Sequence, residues 1–273
     1  MTFPRAKKNF GQNFLVNESV AGRIVGELAP LPGETIVEIG AGQGALTARL
    51  IETGCRLIAV EFDRDLAPLL RERFARHANF TLVEDDALSI DFCAAVAPDE
   101  RARVVANLPY NISTAILQRL IRQRRCLAEM VLMLQREVVG RITAPPSSSE
   151  RGFLSVVVEA YCEAEALFDV APAAFRPVPK VWSTLARLRV RQHTPVPIDD
   201  EALLWKVVSA GFAQRRKTIL NNLRHAPDIL STRIENAGGA SVVLANSGVA
   251  AERRAETLSF AEWSNVANCL AGK

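Results

Sequence analysis

The feature that most constrains this chain is a short apolar run ending in closely spaced glycines. Residues 35–39 (Thr-Ile-Val-Glu-Ile) lead into Gly40-Ala41-Gly42-Gln43-Gly44-Ala45, and a helical pattern follows to about residue 53. That order reads as strand, tight loop and helix, with glycines where the backbone must turn sharply or let a ligand come close. The alternation then continues. Residues 56–61, 80–83, 103–106 and 130–134 read as further strands, with helical patterns at about 63–77 and 113–125. Strands alternating with helices predict an α/β fold with a mostly parallel sheet covered on both faces.

The remaining chain is assigned around that frame. A basic arm at residues 5–14 precedes a helical pattern at 18–28. Pro145-Pro146-Ser147-Ser148-Ser149 is a breaker-rich loop, followed by a helix near 153–160 and strand-like runs at 166–170 and 183–190 with a proline-rich turn between them. Composition changes at Thr194-Pro195-Val196-Pro197, and beyond it the patterns are helical, at 201–212, 216–223, near 228 and at 260–270. We therefore expect an α/β domain over residues 1–193 and a small all-helical domain over 194–273. With 273 residues, 49% of them hydrophobic, the chain can fill both cores.

No segment reads as a bilayer span or a signal peptide, so a soluble, cytoplasmic protein is expected. Five scattered cysteines (Cys55, Cys93, Cys126, Cys162, Cys269) and three histidines show no metal-ligand spacing. They read as reduced thiols with no disulfide and no metal. The net charge of +3 is uninformative, but residues 176–225 hold ten Lys or Arg against three acids. A local surplus of that kind suits a polyanionic partner. Arg215, Arg216 and Lys217 are its centre and are read as RNA-phosphate contacts, whereas Arg122, Arg124 and Arg125 read as surface cations. The three tryptophans read as packing residues.

The glycine loop alone leaves the cofactor open. Its spacing satisfies G-x-G-x-x-A, and Glu61 lies 21 residues beyond Gly40, where a carboxylate can accept both hydroxyl hydrogens of a ribose. A nicotinamide dinucleotide and S-adenosylmethionine both fit. The acidic end of the third strand, Glu84-Asp85-Asp86, weighs against the dinucleotide, since an acid there can accept from an adenine amine.

Asn107-Leu108-Pro109-Tyr110 ends the fourth strand, the edge where open α/β sheets bind ligands. It suits one chemical problem. An adenine exocyclic amine is a poor nucleophile because its lone pair is delocalised into the ring. The Asn107 amide oxygen and the Leu108 carbonyl can each take one N–H, favouring a tetrahedral nitrogen. Pro109 stiffens the turn, and Tyr110 offers a face for a flipped-out base.

With these motifs in place, the chain resembles the small-subunit ribosomal RNA adenine dimethyltransferases (the KsgA/RsmA family). The matching segments include residues 9–15 (NFGQNFL), 37–47 (VEIGAGQGALT), 60–66 (VEFDRDL), 86–88 (DAL) and 107–113 (NLPYNIS). Others are 133–139 (MLQREVV), 174–181 (AFRPVPKV), 211–223 (GFAQRRKTILNNL) and 254–259 (RAETLS). The resemblance implies a class I methyltransferase fold with a helical C-terminal domain that binds RNA. It implies S-adenosylmethionine as cofactor and transfer of two methyl groups to each of two adjacent adenosines in the 3′-terminal hairpin of small-subunit rRNA. The expected partner is the immature small subunit, and the expected state a monomer. Carried over by position, Asn13, Leu15, Gly40, Gly42, Glu61, Asp86 and Asn107 contact the cofactor, and Phe175 sandwiches the target base opposite Tyr110. Lys7 and Lys8, near Phe10 and Phe14, belong to an arm that orders over the cofactor. Ala41 stands where a proline is usual, and Arg151 and Trp182 interrupt otherwise matching segments. The neighbouring readings are a large-subunit rRNA methyltransferase of the antibiotic-resistance type, an assembly factor acting by binding, and a nicotinamide dehydrogenase. The segments at 211–223 and 254–259 argue against the first of these.

Overall fold

The computed structural model describes residues 4, 6, 7 and 10–271, apart from the side chain of residue 228. Arg5, Lys8 and Asn9 of the expected arm lie outside the described residues. The chain divides into two compact units, Met1–Val139 with Glu163–Val190, and Gly140–Cys162 with Arg191–Lys273. The second differs from the expected continuous 194–273. The segment 140–162 is tied into it by hydrogen bonds: Ser147 N–H donates to the Glu256 carbonyl, and the Trp205 indole donates to the hydroxyl of the buried Tyr161 at 3.1 Å.

The first unit begins with β1 (Phe14–Leu15), α1 (Glu18–Leu28), β2 (Thr35–Ile39), α2 (Thr47–Glu52), β3 (Arg56–Val60), α3 (Ala67–Phe74) and β4 (Phe80–Val83). It continues through α4 (Phe92–Val96), β5 (Ala102–Asn107), α5 (Ser113–Arg122), β6 (Leu127–Gln135) and α6 (Arg136–Ile142). After α7 (Phe153–Tyr161) come β7 (Cys162–Val170), β8 (Phe175–Arg176) and β9 (Ser183–Val190). Seven strands form one sheet in the order β4-β3-β2-β5-β6-β9-β7. From β4 to β6 the pairings are parallel, and β9 lies antiparallel to β6. All five residues of β2 are buried, as expected for a strand covered on both faces. On one face Ile36, Leu57, Val105, Val131 and Leu185 join the α1 residues Ile24 and Leu28 in a single core.

Chain order explains where a ligand belongs. Strands β2, β3 and β4 step outward one way, and β5 then returns to the other side of β2. The loops after β2 and β5 therefore diverge at the carboxyl edge, the crevice that open α/β sheets use. A two-stranded ribbon adds to it: β1 pairs antiparallel with β8, matching Phe14 with Arg176 and Leu15 with Phe175.

Several expectations are corrected. Cys93 and Cys126, 33 residues apart, form a disulfide, with Cα atoms 5.3 Å apart. Spacing alone concealed this, because α4 and the turn after α5 meet only in the fold; Cys55 and Cys269 remain thiols. The helix expected over 216–223 begins at Ile219 with Thr218 as its N-cap, so Arg216 and Lys217 sit in a turn. Trp182 is 47% exposed and not a packing residue. Among the described residues no helix is long and apolar enough to cross a membrane.

The second unit packs α7 with α8 (Glu201–Gly211), α9 (Ile219–Arg224), α10 (Asp228–Asn236), α11 (Ala240–Asn246) and α12 (Phe260–Ala271). Arg151 is buried there, donating to the Ala144 carbonyl at 3.0 Å and pairing with Glu159 at 2.6 Å, which gives this unexpected residue a structural place. Trp263 is fully buried and lies against Gly211. A methyl group at Gly211 would collide with the indole and press on Ile219 Cδ1 at 3.0 Å. In an open helix Gly→Ala stabilises. Here overpacking reverses the sign, and Gly211→Ala should lower stability by about 1–3 kcal/mol in urea unfolding; a raised midpoint would show that α8 and α12 do not meet this closely.

Candidate active site

The cleft at the carboxyl edge is built from the loops after β2, β3, β4 and β5 and from the arm before β1. It measures about 240 Å³ and is lined by Asn13, Gly40, Gly42, Glu61, Asp86, Asn107, Leu108, Pro109 and Tyr110 among the expected residues. Leu15 and Phe175 do not line it. Paired across the β1–β8 ribbon, both turn into the core, and Phe175 is 0% exposed. Phe175 thus presents no face to a base in this structure, and Phe14, its neighbour along the ribbon, lines the cleft instead.

The glycine loop is shaped by close approach. Gly40 has φ +72° and Gly42 φ +58°, and a Cβ on Gly42 would stand 3.2 Å from the Phe14 ring. Glu61, at the end of β3, accepts from the Gly42 N–H and from the Asp63 N–H, each at 2.8 Å. These bonds fix the carboxylate beside the loop. Burial pushes the Glu61 carboxyl above its ordinary value, and the amides of Asp63 and Gly42 oppose that. One oxygen of Asp86 accepts from the Leu88 N–H at 2.9 Å and so holds its turn.

Asn107 is oriented by the arm. Its amide nitrogen donates to the Asn13 carbonyl at 2.9 Å, which fixes the amide and leaves the oxygen as the acceptor in the cleft. No hydrogen bond among the described residues takes up the Leu108 carbonyl. The Tyr110 hydroxyl shares a 2.6 Å hydrogen bond with Ser183 Oγ at the start of β9. Burial raises the Tyr110 phenol, and the Ser183 bond counters it.

Sequence reasoning missed several parts. Lys7 pairs with Asp63 at 2.5 Å and Asp65 at 2.7 Å, and the Gln12 amide donates to Asp63 at 2.8 Å. Burial works to raise the Asp63 carboxyl, but the Lys7 and Gln12 bonds and the Asp65 amide outweigh it and hold it below its usual range. Phe10 meets Phe62 edge-on at 5.5 Å, and Phe62 is 56% exposed at the rim. The signal for Phe62 was its place directly after Glu61, in the VEFDRDL segment.

The donor set tests the cofactor. Glu61, Asp63, Asp85 and Asp86 line the cleft beside Ile39, Val60, Leu88 and Ile116, and no Lys or Arg is among the described lining residues. A pyrophosphate would meet acids and no cationic side chain among them. A ligand carrying ribose hydroxyls, amines and a sulfonium cation fits both the acids and the apolar wall, so the residues suit S-adenosylmethionine and not a dinucleotide.

In the second unit Arg215, Arg216 and Lys217 are exposed in the turn between α8 and α9. Arg215 donates to the Ser149 carbonyl, Lys217 N–H to the Gln214 carbonyl at 3.0 Å, and the buried Asn222 amide to the Gly211 and Gln214 carbonyls. An antiparallel bridge between Thr218 and Arg254 brings the exposed Arg254 alongside. By contrast, Arg187 of the same basic stretch belongs to the first unit and is paired with Glu27, Glu129 and Glu165.

The fold and the cleft define a class I methyltransferase. Among solved structures, the chain superposes on a dimethyladenosine transferase from Plasmodium falciparum with a TM-score of 0.75, at 22% identity, covering 93% of this chain and 95% of that one. A 23S rRNA methyltransferase, ErmE, gives 0.66 at 26% identity, covering 94% and 99%. The ribosomal RNA adenine dimethylase family model matches residues 4–271, and the chain belongs to that family. It is a methyltransferase enzyme whose cofactor is S-adenosylmethionine. Relatives named ribosomal RNA small subunit methyltransferase A include those of Saccharophagus degradans, 41% identical over 97% of this chain and 95% of the relative, and Chromohalobacter salexigens, 42% identical over 98% and 92%.

Beneath the glycine loop lies a second carboxyl. Glu38 on β2 is fully buried and accepts from the Thr47 hydroxyl at 2.6 Å. Burial, aided by the nearby Glu61 carboxylate and opposed by Thr47, pushes it from 4.5 to about 8. Across that interval the folded protein keeps a proton that the unfolded chain has lost, so this group's contribution to stability falls as pH rises from about 4.5 to about 8. Glu38→Gln mimics the protonated form, and its stability should decline less than the wild type's over that interval. Urea midpoints near both ends of it check this, and parallel declines would remove Glu38 as the source.

Proposed function

We propose that this enzyme dimethylates the exocyclic amines of two adjacent adenosines in the 3′-terminal hairpin of small-subunit rRNA, acting as a monomer on the immature subunit. The reading of small-subunit over large-subunit rRNA rests on relatives of that name at 41–42% identity over nearly the whole chain, against 26% for the 23S rRNA enzyme. The single observation carrying the chemistry is the Asn107 amide, fixed by the Asn13 carbonyl at the strand end that adjoins the glycine loop.

Glu61 accepts from the cofactor ribose hydroxyls, Asp86 from its adenine amine, and Gly40, Gly42 and Asn13 shape the wall around it. When bound, S-adenosylmethionine supplies a methyl group activated by its sulfonium. The target base stacks on Tyr110, whose ring is steadied by the Ser183 bond. Asn107 Oδ1 accepts one N–H of the amine and the Leu108 carbonyl the other, so the nitrogen is held pyramidal with its lone pair free to attack. Pro109, without an N–H, keeps that turn rigid. The proton departs after the nitrogen has become cationic and acidic, so no strong base is needed. The helical unit binds the RNA backbone through Arg215, Arg216 and Lys217.

Incubating the enzyme with unmethylated small subunits and labelled cofactor, then mapping the modified nucleosides, tests the substrate; label on large-subunit rRNA alone would overturn it. Asn107→Ala should cut single-turnover methyl transfer by roughly a hundredfold or more, as loss of one preorganised polar group does elsewhere, with the fold intact. Turnover at the wild-type rate would defeat the mechanism. Replacing Arg215, Arg216 and Lys217 together with Ala should weaken subunit binding and flatten its salt dependence by about 0.7–0.9 log unit per lost phosphate contact, leaving cofactor affinity unchanged. A wild-type salt slope would make them a solvated turn and nothing more.

A further inference from the structure

We propose that the exposed loop at residues 176–182 is a docking surface for single-stranded RNA, with Trp182 stacking on a nucleotide that flanks the target adenosine; this rests on the RNA-methylating reading above. Both ends of the loop are fastened to walls of the cleft. Arg176 pairs with Phe14 in the β1–β8 ribbon, and Phe14 lines the cleft. At the other end the fully buried Ser183 holds the Tyr110 hydroxyl at 2.6 Å. Trp182 is the next residue, its Cα about 3.8 Å from that of Ser183, so its indole is rooted beside the site where the target base stacks.

The exposed surface of the loop carries a cluster of apolar and aromatic side chains. Val178 (56%), Val181 (42%) and Trp182 (47%) are three of the eight large hydrophobic residues exposed among the described residues, and they fall within five positions. Such clustering marks an interaction surface. The Trp182 carbonyl accepts the Arg136 N–H at 3.0 Å, which pins the backbone while the indole stays in solvent.

Charge selects the occupant. Arg176 and Lys180 are exposed in the same loop, which contains no acid. Asp169, on the neighbouring strand, is engaged by the Thr184 hydroxyl at 2.6 Å and by Arg136 at 3.7 Å. A flat aromatic face flanked by cations matches a base and its phosphates. Pro177 and Pro179 restrict the backbone, so little order remains to be gained on binding.

Two measurements test this on the full chain: methyl transfer to unmethylated small subunits, and intrinsic fluorescence titrated with a short adenosine-rich single-stranded RNA. Trp263 is fully buried and Trp205 partly so, leaving Trp182 as the exposed indole. RNA should quench wild-type emission, and Trp182→Ala should remove most of that quench. The same variant should raise KM for subunits by about tenfold, as loss of one stacking contact does, while Trp182→Phe stays within about threefold. Cofactor affinity should be the same in all three. An unchanged KM in Trp182→Ala, a quench that survives it, or a quench by anionic lipid vesicles and not by RNA would overturn the proposal. If the wild type transfers no methyl to small subunits, the substrate reading fails, and the fluorescence titration still decides the loop.

Discussion

The site depends on the parallel pairing of β2 with β5, in which Ile39 lies opposite Ala106. One residue further along each strand are Gly40 and Asn107. No other pair of strands places the glycine loop and the amine-binding turn side by side, because only here does the chain reverse its direction across the sheet. The pairing is strongly specified. Val37, Val104 and Val105 are fully buried, and a slip of one residue would turn every side chain to the opposite face. The separation of the glycine loop from the Asn107-Leu108-Pro109-Tyr110 turn is therefore set by core packing and not by the loops themselves.

On that framework the cleft divides its acids by environment. Glu38, buried and bonded by the Thr47 hydroxyl and backbone, favours its neutral form and so adds little charge beneath the loop. Glu61 is also raised by burial, yet two backbone amides aim at its oxygens and partly offset that. Asp63 goes the other way, held ionised by Lys7 and Gln12. Of these three neighbouring carboxyls, the one at the arm is the most firmly charged, and its charge is spent on fixing the arm. The result is a wall suited to hydroxyls, amines and a cation.

How much of this was legible in the sequence follows from which interactions are local. The glycine loop, Glu61 and Asn107-Leu108-Pro109-Tyr110 could be found because each sits at a strand end, where the apolar pattern stops and a polar motif starts. The strands β2 and β4 matched their expected bounds for the same reason. Long-range pairings left no such trace. Cys93 and Cys126 lie 33 residues apart, and Tyr110 and Ser183 lie 73 apart. The burial of Phe175 was not legible because its proline-rich, cationic neighbourhood resembles an exposed loop, while the β1–β8 register turns that one side chain inward. Trp182 was misjudged for the converse reason: tryptophans are usually buried, and composition cannot reveal that this one begins a strand from outside the sheet.

The β1–β8 ribbon joins these corrected pieces. Its first strand continues from the arm that bears Asn13, whose carbonyl orients Asn107, and its second opens into the loop that ends at Ser183, which steadies Tyr110. One short antiparallel pairing thus connects the supports of Asn107 and Tyr110. Leu15 and Phe175 supply its stability by entering the core, which accounts for apolar residues at both positions. The arm that lines the cleft and the exposed loop at residues 176–182 then share one support. Displacing Lys7 or Gln12 from Asp63 would loosen the arm and reach Asn107 through Asn13. The loop's own fastening at Ser183 would remain, so Asn107 is more sensitive to the arm than Tyr110 is.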